Sequence, residues 1–386
     1  MQPVITLVCG DPGGANAVAP VIERLRGENR VRVQPLAYRQ ACASWSKRNL
    51  RFIELDETTS HDHIVSLLRN QDTALLITGT SFNDVNLENR FIACGREIGL
   101  PSLAVLDFWS NYALRFSDGK GSLLCIPDRI AVMDERARDE MLGEGFPASR
   151  LAITGQPAFD DLAPARSRFT PARRQEIREA LGVGPGEQLV LFASQPFSVV
   201  YGTDTADRLY PGFTEQAILN ALVLALDEIS GEHQEPLVLL IRPHPREDAT
   251  WLRSLSSRRI RVLVSKDYDP REVVMSADLV AGVNTALLVE ACYLGCVTVS
   301  LQPGLRGRDP VPTNAWGVSQ GVYSFEEIKS TVDEMLFDLV RREAVKSRLT
   351  RLKLDGEATR RVVRLAYQMI GLGTVEIEDR DGKAGD

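Results

Sequence analysis

Histidine is scarce in this sequence, with four residues in 386, and aromatic side chains make up only 6% of it. Each histidine has to be weighed singly. His61 and His63 form an HxH pair, but no ligand-rich cluster accompanies them, so no metal site is expected. The six cysteines, Cys9, Cys42, Cys94, Cys125, Cys292 and Cys296, show no CxxC spacing and lie mostly in apolar runs. They read as buried free thiols rather than a disulfide or zinc framework. No stretch reaches the roughly 20 apolar residues that cross a bilayer. Residues 1–9 carry neither the charged start nor the long apolar core of a secretory leader, so the expected location is cytoplasmic. Basic residues are outnumbered as well. The formal charge of -7 argues against a non-specific nucleic-acid binder, though a local basic surface remains compatible with an anionic substrate.

What remains is an ordinary globular composition: 44% hydrophobic, 25% charged, 29 Gly and 20 Pro. The length exceeds one core of roughly 100–200 residues and predicts two domains. Short apolar, β-branched runs recur at Val4 to Val8, Arg32 to Leu36, Leu75 to Thr78, Leu103 to Leu106, Ile130 to Met133 and Leu151 to Thr154. Helix-length segments at Ala17 to Arg26, Ile64 to Asn70 and Leu87 to Ile98 alternate with them, which is the βαβ pattern of a parallel sheet. A charged stretch from Ala163 to Gly186 intervenes. The pattern then restarts with Leu189 to Ala193, Leu237 to Ile241, Ile260 to Val264, Leu279 to Ala281 and Val297 to Leu301, and Phe213 to Ile229 is its longest helix. Ser324 to Arg341 and Gly356 to Met369 read as terminal helices, the latter entered through an Asp355-Gly356 cap and turn. The expected division is 1–160, 161–350, a C-terminal helix in 351–373 and a flexible tail, 374–386. No residue-level repeat links the halves.

Loops after parallel strands are where such sheets hold ligands. In the first half, Cys9-Gly10-Asp11-Pro12-Gly13-Gly14-Ala15-Asn16 follows the first strand, and its small residues admit close backbone approach. Its spacing is not GxGxxG and no acidic residue ends the second strand, which disfavours a dehydrogenase. Asp11 is a candidate general base, with Gly13, Gly14 and Asn16 as candidate ligand contacts. Asp107, Trp109 and Tyr112 follow another strand and offer a carboxylate and aromatic faces suited to a sugar, or else simple packing beneath a loop. Gly79-Thr80-Ser81 with Asp84 and Glu88 adds hydroxyls and carboxylates, Glu88 reading best as a solvated helix residue.

The second half carries the more pointed signal. Arg242-Pro243-His244-Pro245 offers a cation and an imidazole after one strand, and Gly282-Val283-Asn284-Thr285 opens an apolar helix after another. Guanidinium and helix N-terminal amides both favour an anion, here a nucleotide diphosphate. Ser194-Gln195-Pro196 and Ser265-Lys266-Asp267 end neighbouring strands and share that rim. Glu290, over a turn into the helix, is a candidate ribose ligand.

The order of these motifs resembles the GT-B glycosyltransferase superfamily, whose fold nucleotide-sugar 2-epimerases share. The resemblance runs through Ile153-Thr154-Gly155-Gln156-Pro157-Ala158-Phe159-Asp160, the Arg242 to Pro245 loop, Ala277-Asp278, Gly282 to Gly295 and Asp355 to Ala358. It implies an α/β protein of two Rossmann-like domains facing a central cleft, with the C-terminal helix returning to the first domain. It further implies that the second domain binds a nucleotide sugar through Arg242, His244, Asn284, Thr285 and Glu290, without metal or cofactor, the nucleotide expected to be UDP; Ser194 and Gln195, on the same rim, are candidate contacts beside them. Asp11 or Asp107 would deprotonate an acceptor in surface-glycan or glycoconjugate assembly, with His244 at the departing diphosphate. Glycan, lipid-linked and protein acceptors all fit, as do peripheral membrane contact and self-association. The first glycine-rich loop lacks the Arg-Pro-Glu segment of the epimerases, which makes 2-epimerase or hydrolase the alternative. A catalytically silent nucleotide-sugar binder is the third reading.

Overall fold

The structure is a computed structural model that describes residues 2–81, 83–117, 123 and 125–373. The expected tail, 374–386, lies outside the described residues. The chain divides into two compact units, one formed by Met1–Asp160 with the segment from Gly356, the other by Asp161–Asp355.

In the first unit the apolar runs pair as seven parallel strands, β1 (Val4–Cys9), β2 (Arg32–Ala37), β3 (Ile53–Glu54), β4 (Thr73–Thr78), β5 (Ser102–Val105), β6 (Arg129–Val132) and β7 (Leu151–Ile153). Their order is β3-β2-β1-β4-β5-β6-β7, so the winding reverses between β1 and β4. Alternating side chains supply two cores, because successive residues of a strand point to opposite faces. Ile5, Leu7, Cys9, Leu75, Ile77, Leu103 and Val105 pack with the helices Pro12–Glu28 and Ala358–Met369. Val8, Leu36 and Leu76 pack on the other face with His61–Asn70 and Leu87–Glu97.

The C-terminal helix is bound to this unit by the Ile153 to Asp160 segment. Gly155, at φ +86, leaves room for the Ala358 side chain, and Arg361 donates to the Thr154 carbonyl at 2.9 Å. The cap at its start is not the expected Asp355-Gly356 pair. The Asp160 carboxylate accepts the Ala358 and Thr359 amides at 3.0 and 2.7 Å, satisfying donors that a helix start leaves open. Such a long-range cap has no local sequence signature.

The second unit holds six parallel strands, β8 (Gln188–Ala193), β9 (Leu237–Arg242), β10 (Arg261–Val264), β11 (Leu279–Gly282), β12 (Thr298–Leu301) and β13 (Gln320–Val322). The order β10-β9-β8-β11-β12-β13 reverses between β8 and β11. The short strands β3 and β13 carry too few apolar residues to stand out beforehand. The expected single helix at Ser324 to Arg341 is two, Glu327–Phe337 and Leu339–Leu349, because Asp338 leaves the helical conformation and caps the second through the Arg341 amide. The polar stretch after 160 forms helices Leu162–Arg168 and Pro171–Ala180. From the latter, Arg174 and Arg178 clasp Asp278, which also accepts the Leu189 amide at 2.8 Å and so ties β8 to the start of β11. All six cysteines are free thiols, and no described helix is long and apolar enough to cross a membrane.

Candidate functional site

Both sheets carry polar loops outside the carboxyl ends of the strands at and beside the reversal, the region where open α/β sheets bind ligands. Each unit has its own rim.

In the first unit the helix starts earlier than its apolar pattern predicts, at Pro12, so Gly13 and Gly14 lie in its first turn rather than in a loop. Pro12 suits that position because the missing N–H is an orphan there anyway. The glycines serve packing. A Cβ on Gly14 would sit 3.0 Å from the Thr80 backbone nitrogen, and one on Gly13 would sit 2.0 Å from Asp107 Oδ2. Asn16 is exposed on the helix. Asp107 is half-buried and its Oδ1 accepts from the buried Arg115 guanidinium at 2.5 Å and from the Thr80 hydroxyl at 2.6 Å. The protein's own carboxylate therefore stands against this helix start.

Asp11 is buried at the head of the same helix without capping it, and its Oδ1 accepts from Asn83 at 3.1 Å. Glu88, expected in solvent, is 2% exposed. Asn86, left-handed at φ 39, caps the Leu87–Glu97 helix and turns Glu88 inward, where the Gly10 amide donates to it at 2.8 Å. The Ser81 and Tyr38 hydroxyls also donate to it. Burial pushes the Glu88 carboxyl up to about 7, against the pull of those hydroxyls. Trp109 and Tyr112 are not a sugar platform. Both are buried, the indole donating to Asp134 at 2.9 Å and the phenol to Glu140 at 2.7 Å.

In the second unit four turns meet. Ser194, after β8, donates to the buried Glu247 carboxylate at 2.8 Å, and Glu247 accepts the His244 amide at 3.0 Å on its other oxygen. Burial raises the Glu247 carboxyl. Sequence reasoning missed Glu247, since nothing distinguishes it locally from the exposed Asp248 beside it. His244 Nδ1 accepts the Arg246 amide at 3.1 Å, so the neutral ring carries its hydrogen on Nε2, a donor. Lys266, exposed after β10, donates to the His244 carbonyl at 3.2 Å. On the other side of β8, Gln195 Oε1 accepts the Asn284 amide at 3.0 Å, and Thr285 caps the Ala286–Tyr293 helix through the Leu287 amide. The rim is thus cross-linked from β9 through β8 to β11.

Two candidate residues are engaged structurally. Arg242 donates to the Asp267 and Tyr268 carbonyls at 2.9 and 3.1 Å, steadying a turn in which Tyr268 is left-handed, and burial lowers its pKa. Glu290 accepts from Arg271 at 2.7 Å, and Arg271 also reaches Asp161 at 2.7 Å. Burial holds the Glu290 carboxyl above its ordinary range despite that cation. Among the described residues no group of three or more His, Cys, Asp and Glu is placed to hold a metal ion.

No protein-family model matches the sequence, and no curated protein matches it. Solved structures do match. The UDP-GlcNAc 2-epimerase from Neisseria meningitidis, solved bound to UDP-GlcNAc, is similar at TM-score 0.71 with 13% identity, over 95% of this chain and 100% of that one. A glycosyltransferase from Rickettsia africae is similar at 0.65 with 11% identity, over 96% and 99%. MurG from Acinetobacter baumannii is similar at 0.57 with 12% identity, over 95% and 99%. The likeness is one of fold: two Rossmann-like units of the GT-B type.

Proposed function

We propose that this chain is a nucleotide-sugar enzyme, and specifically a metal-independent glycosyltransferase that moves a sugar from a nucleotide diphosphate, UDP by preference, to an acceptor hydroxyl. The observation that carries the reading is the cross-linked rim of the second unit, where Glu247 joins Ser194 to the His244 backbone amide and the Arg246 amide leaves the ring hydrogen on Nε2, at the ends of the same sheet's strands as the Thr285-capped helix. A diphosphate gains charge as the glycosidic bond breaks. Prearranged donors act most strongly on such developing charge, since they need no reorganisation during the reaction. His244, Lys266 and the helix start supply that role.

Asp11 is the better placed base of the two first-unit carboxylates. Asp107 has Arg115 and Thr80 on one oxygen and Gly13 against the other. Removal of the acceptor proton by a positioned carboxylate is ordinary general-base chemistry. The second reading, a nucleotide-sugar 2-epimerase, is favoured by the fold similarity to the Neisseria enzyme. Inverting one sugar carbon requires a proton to leave one face and another to reach the opposite face, hence two acid–base groups on the sugar. With Asp107 paired to Arg115 and Glu88 buried beneath its donors, the first unit offers Asp11 for one such role.

Incubation with UDP-GlcNAc alone, followed by NMR of the sugar, separates the two. The transferase reading expects unchanged donor until an acceptor is added. Conversion at C2 without acceptor would replace it with the epimerase, and absence of any thermal stabilisation by nucleoside diphosphates would remove both.

A further inference from the structure

We propose that Glu88 is a positioning residue that holds the Asp11 carboxylate in place through a closed ring of hydrogen bonds drawn from three loops. The proposal deepens the function above and rests on reading Asp11 as the base.

The ring runs in two directions from Glu88. One way, Tyr38 donates its hydroxyl hydrogen to Glu88, and the Tyr38 oxygen accepts from Asn83 Nδ2 at 3.4 Å and from the Leu87 amide at 3.1 Å. Asn83 Nδ2 also donates to Asp11 Oδ1 at 3.1 Å. The other way, Ser81 donates to Glu88 and its oxygen accepts the Asp11 amide at 3.4 Å. The Gly10 amide closes the floor by donating to Glu88 at 2.8 Å. Asp11 is therefore held by both its side chain and its backbone.

Donor counting explains why a carboxylate stands at the centre. The Tyr38 oxygen already receives two N–H groups, so its one hydrogen has to be given away, and Asn83 is oriented because its Oδ1 accepts the Val85 and Asn86 amides at 3.1 and 2.7 Å. Gly10, Ser81 and Tyr38 all present hydrogens to Glu88. Only an anion with two accepting oxygens satisfies them, and an amide would face a donor with a donor. Such a buried, fully paired network fixes geometry more tightly than its separate bonds would. Space adds a constraint: a Cβ on Gly10 would lie 2.1 Å from the buried Tyr38 ring.

Among the described residues the ionisable groups around Glu88 are Asp11 and Cys9 from β1 and its loop and Tyr38 from the end of β2, with Asp107 and its partner Arg115 beyond them. Arg39 pairs outward with Asp84 and Glu57. Burial and the nearby Asp11 carboxylate favour the proton on Glu88 as pH falls through about 7. A protonated Glu88 brings a hydrogen toward three donors, so the ring opens on the acidic side.

The test combines structure and kinetics on the full chain. Crystal structures of Glu88→Gln and Tyr38→Phe are expected to show the Asp11 carboxylate displaced from Asn83 by roughly 1 Å, a shift large enough to impair catalysis. With donor UDP-GlcNAc and a responsive acceptor, kcat is expected to fall about tenfold or more, while donor KM and UDP affinity stay within about twofold. The acidic limb of the wild-type kcat profile near pH 7 should vanish in Glu88→Gln. An undisturbed Asp11 in both variants, or a Glu88→Gln profile that matches wild type, overturns the proposal. Should either variant fail to fold, Ser81→Ala opens the ring at its other side and is read by the same criteria. Displaced Asp11 in a protein whose wild type transfers no sugar supports the positioning and overturns the assignment of Asp11 as base.

Discussion

Glu88 makes the stability of the first unit depend on pH in a direction opposite to that of ion-paired carboxylates. Its carboxyl rises from an ordinary 4.5 to about 7 because burial disfavours the charge. The folded protein then binds the proton more tightly than the unfolded chain. The stabilising contribution is complete below the unfolded value and is lost as pH rises through about 7. In free energy the displacement corresponds to about 3 kcal/mol, most of it falling between pH 5 and pH 8. Against a typical domain stability of about 5–15 kcal/mol, that is measurable. Glu88→Gln cannot titrate and carries instead a pH-independent penalty of about 1–3 kcal/mol for an amide facing donors. Subtracting the two proteins removes the other titrating groups. Urea unfolding from pH 5 to 8.5, read by pulsed hydrogen exchange of β1 and β4 peptides, should show wild type losing about 2–3 kcal/mol relative to the variant as pH rises. A flat difference would refute the reasoning, and a difference of opposite sign would mean that the hydrogen bonds to Glu88 outweigh its burial.

Three further outcomes follow from particular contacts. His244→Ala removes the Nε2 donor and is expected to weaken UDP binding about tenfold by calorimetry, as the loss of one hydrogen bond to a charged group implies; unchanged affinity would move the diphosphate elsewhere. Gly13→Ala drives a Cβ to 2.0 Å from Asp107 Oδ2, and an overpacking cost of about 1–3 kcal/mol should appear as a lower melting temperature with Arg115 displaced. Asp160→Ala strips the cap from the Ala358–Met369 helix and should cost about 1–2 kcal/mol, seen first as faster hydrogen exchange in residues 358–369.

The strands were legible because their apolar runs are long enough to be buried on both faces, as β1 and β8 are. Positions at the rim were legible for the same reason: a loop after a strand is located once the strand is. What those side chains bond to was not. Arg242 reads as a free cation in the sequence and is taken up by two carbonyls brought from the turn after β10. Glu88 reads as a surface carboxylate and Glu247 gives no signal, because charge dominates a local pattern, and only donors from other loops make their burial tolerable. The Glu327–Phe337 helix ends early for a local reason, the capping oxygen of Asp338, which a tally of apolar residues overlooks. Long-range hydrogen bonding is the information that periodicity omits.

The shared winding of the two sheets makes their difference informative. Both reverse beside their first strand, and both start a helix there or nearby, yet the first unit fills its helix start with Asp107 while the second has Thr285 and Gln195 at its own. The Arg115 guanidinium is already committed to Asp107. A phosphate brought within about 4 Å of that carboxylate would meet a repulsion on the order of 4 kcal/mol at an effective dielectric near 20, before any offset from the guanidinium. Near the second rim the same phosphate would meet Lys266 and an imidazole donor. Under the proposed function, charge favours the second rim over the Asp107 side of the first unit as the place for a diphosphate.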